Sequence, residues 1–101
     1  MDIGITHGWS CLEVGAGIGS IARWLAQRVG RTGRVVATDL DTRFFEDAAG
    51  ANLDVWRHDI TRDSLPVTEF DLVHVRWLLD LLPDREASIE KLIAALKPGG
   101  C

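Results

Sequence analysis

The chain has 101 residues, a formal net charge of −4 and a hydrophobic content of 47%, which suits one small globular domain and excludes a disordered segment. No apolar run approaches the ~20 residues of a membrane span, and MDIGITHGWS at the start has neither the basic opening nor the long apolar core of a signal peptide. Cys11 and Cys101 provide neither a disulfide framework nor a paired metal knuckle. An acidic balance with scattered arginines argues against a broad nucleic-acid surface, so a cytoplasmic protein without nucleic-acid or membrane partners is expected.

In chain order, SCLEV (10–14) reads as a short buried strand ending at Gly15. Ile18, Ile21, Ala22, Leu25, Ala26 and Val29 then recur at three- and four-residue steps, which predicts an amphipathic helix stopped by Gly30. RVVATD (34–39) is rich in β-branched residues and predicts a second strand. Asp41 or Thr42 is suited to cap a short helix bearing Phe44, Phe45, Ala48 and Ala49. LDVWRHD (53–59) alternates as a third strand, and FDLVHV (70–75) is apolar enough for a central fourth. Pro83 and Asp84 open a last helix, with Ile89, Leu92, Ile93 and Leu96 on one face, and KPGG (97–100) breaks it. Alternation of this kind predicts an α/β fold: a Rossmann-like open parallel sheet with helices on both faces. Ligands in such sheets bind beyond the carboxyl ends of the strands, where strand order reverses. The glycine loop, Asp39, Asp59 and the residues after Val75 all fall at such ends.

The loop sequence narrows the ligand. A nicotinamide site wants G-x-G-x-x-G, but after Gly15 and Gly17 the third glycine position holds Ser20. Glu13, just ahead of the loop, would face a pyrophosphate across a low-dielectric cleft, where like charges repel. A ligand with a cationic end and no phosphate fits better. Asp39 lies 20 residues beyond Gly19, the spacing at which an acid in this fold accepts hydrogen bonds from ribose hydroxyls. A nucleoside with a cationic tail describes S-adenosylmethionine.

LEVGAGIGS, VVATDLD, RHDI, FDLVHVRWLLDLLPD and LKPGG, in that order, resemble the motifs of class I S-adenosylmethionine-dependent methyltransferases, nearest to the small-molecule, ubiquinone-biosynthesis type. The resemblance implies that Glu13 holds the glycine loop and faces the cofactor's amino-acid end. It implies that Gly15, Ala16, Gly17 and Gly19 let the backbone approach the cofactor, that Asp39 takes the ribose hydroxyls and that Leu40 packs on the adenine. Asp59 would accept from the adenine amino group, the Ile60 amide would read the ring, and His74, Val75 and Arg76 would line the methionine portion.

That family's sheet has seven strands, so the sequence is expected to be a partial methyltransferase domain, residues 1–101, carrying the cofactor-binding half and truncated after the fourth strand. The acceptor pocket would lie largely in later segments. Leu81 stands where the family often places a histidine, which weakens the case for a local general base, and HVRW stands where base-amino methyltransferases carry an Asn-Pro-Pro-Tyr motif, which favours a small-molecule methyl acceptor. The alternatives are a fragment of an NAD(P)-binding oxidoreductase and a non-catalytic, truncated nucleoside-binding remnant. Asp41 is read as a helix cap, and Asp59 stays open between a turn residue and an adenine contact. His58 and His74 have no acidic partner visible in the sequence and are read as structural or as lining, while His7 is remote and no metal site is expected. Trp9, Trp24, Trp56 and Trp77 are too dispersed for a stacking platform and are read mainly as packing residues.

Overall fold

The computed structural model describes residues 7–15, 20–43, 49–60, 62–75 and 85–100. They form β1 (Ser10–Val14), α1 (Ser20–Val29), β2 (Arg34–Asp39), β3 (Leu53–Arg57), β4 (Leu72–Val75) and α2 (Arg85–Ala95). The four strands make one parallel sheet in the order β3-β2-β1-β4. The chain steps outward from β1 through β2 to β3, then crosses back to the other side of β1, so the topological switch point lies between β1 and β4. The helix expected around Phe44, Phe45 and Ala48 falls outside the described residues, as do Ala16, Gly17, Ile18, Gly19, Arg76, Trp77, Leu81, Pro83, Asp84 and Cys101.

Strand residues alternate between two apolar layers because successive side chains leave a pleated strand on opposite faces. On one face Cys11, Val35, Ala37, Leu53 and Leu72 meet Ala22, Leu25 and Val29 of α1. On the other, Leu12, Val14 and Val36 meet Ile60, Leu65 and Phe70 together with Leu92 and Ala95 of α2. Helices therefore cover both faces, as the alternating pattern requires. α1 ends at Gly30, whose φ of +68° reverses the chain. Asn52 braces that end by donating from Nδ2 to the carbonyls of Ala26 (2.7 Å) and Gly30 (2.9 Å), which also accept from the amides of Gly30 (3.3 Å) and Gly33 (3.1 Å).

Several boundaries and faces differ from the sequence expectations. β3 stops at Arg57 rather than running to Asp59, because the Asp59 amide turns away to the Asp63 carboxylate (2.8 Å). β4 begins at Leu72 rather than Phe70; the backbone of Asp71 engages Ser10, and Phe70 makes a parallel bridge to Leu96 instead. α2 buries Ser88, Leu92 and Ala95, whereas Ile93 is 63% exposed and Leu96 lies beyond the helix. The small Ala95 is what lets α2 approach Phe70 closely in the shared cluster. Trp9 and Trp56 pack against the core as expected, but Trp24 is 38% exposed on α1. No helix among the described residues is long and apolar enough to cross a membrane.

Candidate functional site

Gly15 ends β1 in a conformation that L side chains rarely adopt, with φ +77°. Its amide donates to the Thr38 carbonyl (2.9 Å), and the Thr38 hydroxyl donates to the Glu13 carbonyl (3.2 Å). These bonds tie the end of β1 to the end of β2, so the glycine turn starts from a fixed position. Two residues before Gly15, Glu13 is fully buried. Register pairs Glu13 with His74 across the β1–β4 seam, and His74 Nδ1 hydrogen-bonds the Glu13 carboxylate at Oε2. His74 therefore has the acidic partner that the sequence did not reveal. The two residues are 61 positions apart, and only strand order and register bring them together.

Beyond the carboxyl ends of β1, β2 and β3, a cleft is lined by Val14, Gly15, Thr38, Asp39, Leu40, His58, Asp59 and Ile60. Asp39 is half-buried; its Oδ1 accepts from the Asp41 amide (3.3 Å) and its carbonyl accepts from the His58 amide (3.0 Å). Leu40 is 58% exposed and also borders the two open hollows on either side of this cleft. A leucine left outside the core at the junction of three concavities offers an apolar surface to a ligand rather than to the protein. With Val14 and Ile60 it makes apolar walls, while Asp39 and Asp59 supply carboxylates. Apolar walls with a few placed polar groups are what small-molecule sites use for affinity and orientation.

The floor near Ile60 is held by a residue that sequence reasoning missed. Lys91 of α2 donates from Nζ to the carbonyls of Ile60 (2.7 Å) and Asp63 (2.7 Å). Within the same turn the Asp63 amide returns to the Asp59 carbonyl (2.8 Å). Asp59 thus organises a turn as well as lining the cleft. The Ile60 amide donates to no acceptor among the described residues. His58 anchors the following loop by donating from Nε2 to the Ser64 carbonyl (3.0 Å), and its buried Nδ1 meets no hydrogen-bond partner among the described residues. Spacing gives no signal for Lys91, because it lies 31 residues from Ile60 on the opposite side of β4 in the chain.

At the outer rim Asp41 accepts from the Arg43 amide (3.1 Å) and pairs with the Arg43 guanidinium (2.6 Å). This is the local carboxylate-to-backbone turn expected of a capping acid. The hydrogen bonds from the Arg43 side chain and then its backbone hold the Asp41 carboxyl at about 2, below the usual carboxylate range. Among the described residues no group of three His, Cys, Asp or Glu side chains is placed to hold a metal ion. Of the sequence-predicted site residues, Gly15, Asp39, Leu40, Asp59 and Ile60 share the cleft. Glu13 and His74 form a hydrogen-bonded pair on the adjoining strands β1 and β4, and Val75 packs against the α2-side core at the end of β4. Ala16, Gly17, Gly19 and Arg76 lie outside the described residues.

Comparison with known proteins bears directly on this arrangement. The chain is 30% identical over 103 residues to the ubiquinone/menaquinone biosynthesis C-methyltransferase UbiE of Laribacter hongkongensis, a match covering 96% of this chain and 42% of that protein. The chain thus spans about two-fifths of the length of the curated relatives it matches. A SAM-dependent methyltransferase from Aquifex aeolicus superposes with a TM-score of 0.83 at 24% identity, over 94% of this chain and 54% of that one. One from Mesorhizobium loti superposes with a TM-score of 0.85 at 24% identity, over 97% and 46%. Both show that the fold is the Rossmann-like fold of those enzymes. Because the family model described as "Methyltransferase domain" matches residues 11–100, nearly the whole sequence, this chain belongs to the methyltransferase domain family.

Proposed function

We propose that this chain is the cofactor-binding half of an S-adenosylmethionine-dependent methyltransferase whose acceptor is a small molecule. The observation that carries the reading is the convergence of Gly15, Asp39, Leu40, Asp59 and Ile60 on one cleft at the carboxyl ends of three strands, beside a buried carboxylate at the switch point. The donor set fits a nucleoside with a cationic tail. Asp39 accepts from the ribose hydroxyls, and Leu40 covers one face of the adenine. Asp59 takes the adenine amino group, and the Ile60 amide, held in place through Lys91, donates to the ring. Glu13 faces the amino-acid end, and the glycine turn from Gly15 through Ala16, Gly17 and Gly19 brings backbone to the methionine portion, with His74, Val75 and Arg76 beside it.

When bound, S-adenosylmethionine supplies a methyl group on a positively charged sulfur. Transfer is an in-line displacement, so the protein's contribution is mainly to align the reacting groups and exclude water. The residues of this chain bind and orient the donor. The names of the UbiE relatives, C-methyltransferases of ubiquinone and menaquinone biosynthesis, support a small-molecule acceptor. A cytoplasmic location accompanies this reading, supported by two cysteines that offer no disulfide framework.

Calorimetric titration with S-adenosylhomocysteine tests the reading, with NAD as the control ligand. Saturable binding of S-adenosylhomocysteine, absent for NAD and weakened tenfold or more in Asp39→Ala, is the expected outcome; roughly this loss follows from removing charge-assisted hydrogen bonds. Binding of NAD with none of S-adenosylhomocysteine would overturn it in favour of an oxidoreductase.

A further inference from the structure

We propose that His74 is a positioning residue: its Nδ1–H holds the buried Glu13 carboxylate in place for the cationic amino-acid end of S-adenosylmethionine. The inference rests on the cofactor reading above and adds to it a partner for Glu13 and a role for a histidine on β4.

Four observations carry it. The pair straddles β1 and β4, the two strands that flank the switch point where open α/β sheets bind their ligands. Both side chains lie on the α1 face, because Cys11 and Leu72, two residues earlier on their strands, belong to the cluster packed on α1, and side chains two apart share a face. Glu13 is completely buried, and a buried carboxylate is costly unless hydrogen bonds compensate it. On the other flank of Glu13, register places Ala37 of β2, whose side chain has no hydrogen-bonding group; β4 is the neighbouring strand that brings a donor at this level.

Stability does not account for the pair. Apolar residues at both positions would extend the α1-side core, and replacing both partners of a hydrogen bond by apolar groups of similar shape can be nearly neutral or stabilising. His74 is the more exposed member, with 28% of its side chain accessible, so the ring links the surface to a carboxylate that has no exposure of its own. This geometry fixes where the negative charge sits relative to the glycine turn that begins two residues later at Gly15.

The test uses two ligands that differ only at the end in question. S-Adenosylhomocysteine carries the ammonium and carboxylate; 5′-methylthioadenosine keeps the nucleoside and thioether but lacks both. Affinities of the full chain for each are measured in wild type, His74→Leu, His74→Phe, His74→Asn and Glu13→Gln. His74→Leu and His74→Phe, which remove the donor, should weaken S-adenosylhomocysteine by about tenfold, the loss typical of a charge-assisted hydrogen bond, while leaving methylthioadenosine within about twofold. His74→Asn, whose amide nitrogen sits near the Nδ1 position, should recover most of the affinity, and Glu13→Gln should show the same ligand-selective loss. Equal losses for both ligands would make His74 merely structural and overturn the inference, as would unchanged binding in the donorless variants. Failure of wild type to bind either ligand would overturn the cofactor reading and the inference together. Should the donorless variants not fold, selective loss in Glu13→Gln with retention in His74→Asn supports the inference, and the absence of either overturns it.

Discussion

The two faces of the sheet are built from the same strands one residue out of phase, and they differ at the carboxyl end. On the α2 face, Leu12, Val14 and Val36 continue apolar all the way to Ile60 and Phe70. On the α1 face, Cys11, Val35 and Leu72 are apolar, but the next residues outward on β1 and β4 are Glu13 and His74. Along β1 the α2 face stays apolar to its last level, where the buried Thr38 of β2 turns its hydroxyl to the Glu13 carbonyl; the α1 face gives up its last level on β1 and β4 to a buried carboxylate and a histidine. Fold stability therefore rests more evenly on the α2 face, while the α1 face carries chemistry at the point where the strand order reverses.

Substitutions on each face break this comparison in different ways. Among the described residues Phe70 is the largest fully buried side chain, and it joins β4, α2 and the Leu96 segment. Phe70→Ala should lower unfolding free energy by about 3–5 kcal/mol in a denaturant titration. A smaller loss, about 1 kcal/mol, is expected for Asn52→Ala, which removes the side-chain donor to the Ala26 and Gly30 carbonyls at the end of α1 and leaves each with its backbone donor alone. The paired change Glu13→Leu with His74→Leu should alter stability by less than about 1 kcal/mol, or raise it, while weakening S-adenosylhomocysteine binding about tenfold or more. A large destabilisation by that pair would mean that the charged level supports the fold after all.

The smallest effect belongs to the rim. The Asp41 carboxyl is held near 2 by Arg43, below its ordinary value of about 4 in an unfolded chain. Its contribution is therefore complete above pH ~4 and is lost as pH falls from there towards 2. Asp41→Asn should flatten a slight acid-side slope in thermal stability over that window, and leave the neutral-pH melting temperature within about a degree, as expected for an exposed pair.

Much of this architecture is legible in the chain because local signals suffice for it. SCLEV and RVVATD are buried runs bounded by glycine or polar residues, and β1 and β2 occupy those residues. Residues at strand ends, such as Asp39 and Asp59, necessarily reach the same edge of a parallel sheet, which is why the cleft could be assembled from spacing. What the sequence hid depends on distant partners. The end of β3 is set by the Asp63 carboxylate, and the start of β4 by Ser10. In α2, Ile89–Ile93 and Ser88–Leu92–Ala95 are both helical spacings, and only the position of Phe70 decides which stripe is buried. The Glu13–His74 pair and the Lys91 clamp on Ile60 arise from register and packing between segments far apart in the chain.

The most direct test of the central claim, a nucleoside site at the carboxyl ends of β1, β2 and β3, is an amide chemical-shift titration of the isotopically labelled chain with S-adenosylhomocysteine. The account predicts the largest saturable shifts at Gly15, Asp39, Leu40, Asp59 and Ile60, with Gly30 and Asn52 at the far end of α1 unmoved. Saturable shifts centred on the opposite end of the sheet, or none in these five residues at saturating ligand, would contradict it.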